Sequence, residues 1–119
     1  MVKVYLAGSW QQRADVKALM EYLEINGVTI AVDWTNHEGM EVEEYAKADF
    51  DALIASDVFV LYNPLKISRG KFTEFGIAIA NDIPVITYKT KKLGIFGHLI
   101  RAQHAGTPEK LLFLIKTHE

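Results

Sequence analysis

The chemistry written into this chain centres on two acids, Glu74 and Asp49. Glu74 opens a segment continuing Phe75, Gly76, Ile77, Ala78, Ile79, Ala80, which predicts a helix over 72–80 with Glu74 in its first turn. There the helix dipole favours the ionised carboxylate. By position alone such an acid is ordinary helix-start decoration. Two features argue for more: the helix is apolar nearly all round, and a glycine-containing loop at a strand end feeds it. On a 100° wheel for a helix over 42–55, Ala46, Phe50, Leu53 and Ile54 form the expected buried arc. Asp49 falls at its edge, beside Val42, Tyr45 and Leu53, whereas Asp51 faces solvent. A carboxylate bordering an apolar stripe is either paired or functional. Glu43, Glu44 and Asp51 read as solvated surface, and Asp57 as a turn or cap residue. Two acids converging on one pocket suit cleavage at an anomeric carbon, one attacking C1′ while the other positions the sugar or helps protonate the leaving group. No metal is required. His37, His98, His104 and His118 have no ligand spacing, and each defaults to a surface or supporting place.

Other loops narrow the chemistry. Gly8-Ser9 lies between a strand and a helix, where backbone N–H groups hold a phosphate or a sugar. No G-x-G-x-x-G follows, so the dinucleotide fingerprint is absent. Gly70-Lys71 is no Walker loop, because Phe72 stands where Ser or Thr is needed. The receiver domains of response regulators share the same alternation of elements, but they need paired acids after the first strand and an Asp ending the third. Those places hold Gly8-Ser9 and Tyr62-Asn63.

The positioning elements follow from the apolar pattern. Residues 2–7 and 28–32 read as strands, and 57–62 and 84–88 as two more, with Gln103 and His104 in a short fifth. Helices are expected over 11–26, stopped by Gly27, over 42–55, over 72–80, and over 109–117, where Thr107-Pro108 forms the cap. The strands are continuously apolar and alternate with helices, which argues for a parallel sheet covered on both faces. The expected architecture is a three-layer, flavodoxin-like or Rossmann-like α/β fold with a 4–5-stranded parallel sheet, one domain over 1–119. Ligands then sit at the carboxyl ends of the strands: at Gly8-Ser9, in 63–74, and after Tyr88.

Composition excludes several classes. The 119 residues carry a net charge of −2 and no cysteine, so disulfides, thiolate metal sites and a Cys nucleophile are ruled out. The charge gives no reason to expect a nucleic-acid partner or an anionic membrane surface. Lys89, Lys91 and Lys92 form a short basic patch without aromatic interleaving and read as a solvated loop. The apolar start is too short for a signal peptide, and no run reaches the ~20 residues of a membrane span. The expected location is the cytoplasm.

Taken in order, VYLAGS (4–9), Asp49, SDVFVL (56–61), SRGKFTEFGIAIA (68–80) and IPVI (83–86) resemble the nucleoside 2-deoxyribosyltransferase family and the related deoxynucleoside-monophosphate N-glycosidases. The resemblance covers most of the chain. It implies Glu74 as nucleophile, Asp49 as its partner at sugar and base, and Tyr5 as the hydroxyl beside the nucleophile. It further implies that Gly8, Ser9, Ser68 and Gly70 line the ligand, with the latter two near its 5′ end. No cofactor is implied. Family members form dimers or higher homo-oligomers in which a neighbour closes each pocket, and Leu99, in Gly97-His98-Leu99, falls where that contribution comes from. The nucleotide hydrolases carry an Arg soon after Gly-Ser; here Gln11 stands there, with Arg13 two residues on. The expected activity is therefore glycosyl transfer to a second base or hydrolysis of a nucleoside or nucleotide. The alternative is a non-catalytic nucleotide-binding module, which has no need of a nucleophile.

Overall fold

Alternate residues of the central strands serve opposite faces of one sheet, and both faces are apolar. Val4, Leu6, Val58, Val60 and Ile86 form one core with Val16, Leu19, Met20, Leu23, Leu111, Leu114 and Ile115. Tyr5, Ala7, Phe59, Leu61 and Val85 form the other with Leu53, Phe75 and Ala78. That period of two, apolar at nearly every position, explains the hydrophobic runs. The computed structural model describes residues 1–37, 39, 41–62, 69–90 and 101–119.

The elements in chain order are β1 (Lys3–Ala7), α1 (Arg13–Ile25), β2 (Thr29–Ile30), α2 (Val42–Ile54), β3 (Val58–Tyr62), α3 (Arg69–Ala80), β4 (Val85–Tyr88), β5 (Gln103–Ala105) and α4 (Pro108–Lys116). All strand pairs are parallel, in the order β2-β1-β3-β4-β5. This is the flavodoxin-like order, with its switch point between β1 and β3. α1 and α4 cover the first face and α2 and α3 the second, giving the expected three-layer α/β fold. The Thr107 hydroxyl accepts the Lys110 N–H at 3.2 Å and Pro108 opens α4. Gly27, at φ 89°, makes the left-handed turn after α1.

Four expectations need correction. Residues Trp10–Gln12 form a single 3₁₀ turn, so α1 begins at Arg13. β2 is two residues long, because after Ile30 the chain turns away into a second 3₁₀ turn, Trp34–Asn36. The Trp34 indole anchors that turn by donating to the Leu6 carbonyl at 2.6 Å. α3 starts at Arg69, three residues early, and only Lys71, Phe75 and Ala78 of it are buried. It is not apolar-covered all round, and Glu74 lies in its second turn. Finally, the arc drawn for α2 is rotated. Leu53 is buried, but Phe50 and Ile54 are 48% and 44% exposed, and the inward side carries Tyr45, Ala48, Asp49 and Ala52. The wheel placed Ala46, Phe50 and Ile54 inward with Leu53, whereas α2 leaves those three exposed.

Candidate active site

Tyr5 stands mid-strand in β1, fully buried, with its ring stacked on Phe59 of β3 at 5.9 Å and 6°. Phe59 in turn lies 6.4 Å from Phe75 of α3. This aromatic column fixes the Tyr5 hydroxyl, which donates to Oε2 of Glu74. The other carboxylate oxygen, Oε1, accepts no hydrogen bond among the described residues. Burial pushes the Glu74 carboxyl up to about 7, helped by the charge of Asp49 and opposed by the Tyr5 hydrogen bond. The expectation that the helix dipole keeps Glu74 ionised is thereby corrected: the acid sits past the first turn, where the dipole has faded, and loss of water outweighs it. Burial, then the Glu74 charge, raises the Tyr5 phenol as well, so it remains a donor.

Asp49 belongs to the inward side of α2. Its Oδ1 lies 2.7 Å from Nε2 of His37, and the His37 ring stacks on Tyr45 at 5.3 Å and 10°. Burial raises the Asp49 carboxyl while the His37 contact lowers it. Asp51, by contrast, is exposed and pairs with Lys47 at 2.9 Å. Lys71, in the first turn of α3, is buried. Its amine donates to the Tyr62 carbonyl at 3.4 Å, and burial lowers it to about 8.

Glu74, Asp49, His37, Lys71, Gly8 and Gly70 line one cavity of about 820 Å³ at the carboxyl ends of β1 and β3, walled by Trp10, Trp34, Tyr45 and Phe50. A cavity of this size, mostly apolar with a few polar groups, suits a small organic ligand. Gly8 is required by packing. A Cβ there would come 2.8 Å from Val16 and 3.5 Å from the Trp34 ring. A Cβ at Gly70 would meet nothing within 4 Å. Ser9 is not brought to the cavity. It is buried, and its hydroxyl and N–H both go to the Gln12 side chain, at 3.0 and 3.2 Å. Ser68 and Leu99 lie outside the described residues. Among the described residues no cluster of three or more His, Asp or Glu is arranged around a cation.

The model of the family described as nucleoside 2-deoxyribosyltransferase matches residues 4–108. The chain belongs to this family. No curated protein sequence matches it. Among solved structures, a conserved protein from Enterococcus faecalis V583 is similar with a TM-score of 0.73 and 22% identity, over 100% of this chain and 99% of that one. The CMP N-glycosidase BcmB of Clostridium botulinum is similar with a TM-score of 0.67 and 20% identity, over 97% and 98%. At such identities the likeness concerns the fold.

Within this nucleoside 2-deoxyribosyltransferase family member, sequence reading left out His37, Tyr45, Trp34 and Lys71. His37 and Asp49 are twelve positions apart on different elements, with no spacing signal to join them. Lys71 carried one usable signal: a lone lysine on the side of α3 shared with Phe75 and Ala78, an odd place for a charge to be buried without purpose.

Proposed function

We propose that the protein cleaves or exchanges the N-glycosidic bond of a nucleoside or nucleotide, with Glu74 as nucleophile. The observation that carries this reading is the Tyr5–Glu74 pair at the cavity wall, facing the same space as Asp49. Tyr5 holds one carboxylate oxygen and stabilises its charge, so the other is presented to C1′. Oε1 forms a bond to C1′ as the C1′–N bond breaks, and its electron pair leaves with the base. Asp49 positions the sugar or supplies the proton the base takes up. A second base, or water, then attacks C1′, giving up its proton to Asp49 or to solvent, and releases the Glu74 carboxylate. The aromatic wall suits a flat base. The family gives the prior; the buried, hydroxyl-bonded acid supplies the chemistry.

The active unit is proposed to be a homodimer or higher homo-oligomer. Val42, Ala46, Phe50 and Ile54 make one exposed apolar line along α2, and Ala46 and Phe50 also border the cavity. Such a line is a natural interface. A partner there would help close the site.

The test is chromatography of a panel of nucleosides and 5′-monophosphates incubated with wild type and with Glu74→Gln, with and without a free acceptor base. Free base from wild type alone means hydrolysis, and a new nucleoside means transfer. Cleavage at equal rates by both proteins would remove Glu74 from the reaction, and no product in any arm would remove the activity.

A further inference from the structure

His37 is tied down at both ends. Its backbone N–H donates to the Trp34 carbonyl at 3.2 Å, and Trp34 is itself bonded to β1 through Leu6. Asp33 caps the same turn by accepting the Thr35 N–H at 3.0 Å. The His37 side chain reaches across to α2, where Tyr45 and Asp49 stand one helical turn apart on one side. Tyr45 stacks on the imidazole and Asp49 receives its Nε2, 2.7 Å away. All three residues line the cavity with Glu74.

We infer that His37 is a positioning residue for the reaction proposed above: it holds Oδ1 of Asp49 so that Oδ2 is presented to the substrate in a fixed orientation. The inference rests on that glycosidic reading. An aspartate on a half-buried helix side is otherwise free to turn about its last torsion, which is broad. An imidazole N–H, itself clamped by the Tyr45 ring, selects one setting of the carboxylate plane. Fixed orientation is worth rate because the reacting groups must meet in near-attack geometry. Among the described residues, the titratable groups that share the cavity with the pair are Tyr45 on the same helix and Glu74 and Lys71 on α3, with Tyr5 of β1 behind Glu74. None of them replaces an imidazole N–H at Oδ1.

Two variants separate positioning from mere anchoring of the 34–37 segment. His37→Phe keeps an aromatic ring against Tyr45 but has no donor; His37→Gln keeps a side-chain N–H donor within reach of Oδ1. Both are compared with wild type and Glu74→Gln in melting temperature and in kcat, KM and pH profile on the panel substrate that wild type turns over. We expect His37→Phe to lose roughly ten- to a hundred-fold in kcat, the worth of one hydrogen bond to a charged group. KM changes little, and His37→Gln recovers most of the rate. Equal loss in both variants, or wild-type kcat in His37→Phe, overturns the inference. If Glu74→Gln is inert while His37→Phe is fully active, the glycosidic reading stands and only the role of His37 falls. If wild type cleaves nothing, the reading falls and this inference with it.

Discussion

Glu74→Gln should make the protein inactive and, above neutral pH, more stable. Burial raises the Glu74 carboxyl from 4.5 to about 7 in the folded state. The folded chain therefore holds a proton that the unfolded chain has released at intermediate pH. Stability from this group is complete below pH 4.5 and is lost as pH rises through 7. At 1.36 kcal/mol per unit, the cost of the ionised acid above pH 8 is at most about 3 kcal/mol, and partial access to water lowers it to about 1–3 kcal/mol. The amide of Gln keeps an acceptor for the Tyr5 hydroxyl and carries no charge at any pH. The variant should melt roughly 4–12 °C above wild type at pH 8.5, with little difference at pH 4.5, taking about 4 °C per kcal/mol for a domain of this size. Scanning calorimetry at the two pH values measures this, beside a base-release assay in which the variant falls by orders of magnitude. A stability difference that does not change with pH would refute the claim that burial sets the Glu74 carboxyl. Wild-type turnover would refute its role as nucleophile.

Tyr5→Phe removes the hydrogen bond that, among the described residues, favours the Glu74 carboxylate. The acidic limb of kcat/KM, expected near pH 7 in wild type, should move about one to two units higher; an unmoved or lowered limb contradicts the pairing. Gly8→Ala places a methyl 2.8 Å from Val16, so urea unfolding should show a loss of about 1–3 kcal/mol, and a loss below about 0.5 kcal/mol would mean the site relaxes freely. Ile54→Glu puts a charge in the exposed α2 line, at a position that does not itself line the cavity. Light scattering should report dissociation at micromolar concentration, while an unchanged oligomeric mass, or a wild-type monomer, would place the interface elsewhere or abolish it.

The sequence by itself determined the sheet, and for a simple reason. Strands buried on both faces are apolar at nearly every position, and VYLA, VFVLY and VITY read as little else. It also separated Asp49 from Asp51, because two positions along a helix amount to opposite sides. Capping chemistry at Thr107-Pro108 set the start of α4. The rest depended on contacts that no local pattern records. The inward side of α2 is chosen by what α3 offers it, so hydrophobicity alone pointed the wheel at Phe50 and Ile54, which stay uncovered. The ionisation of Glu74 was read from helix position, yet it is decided by how much water the surrounding core removes. Ser9 was expected at the ligand, but its N–H and hydroxyl both go to the Gln12 side chain. His37 acquires a part only when a turn pinned to β1 brings its ring between Tyr45 and Asp49. Periodicity reports which side of an element is apolar; burial, charge coupling and partner geometry belong to the packed chain, because each depends on residues far away in sequence.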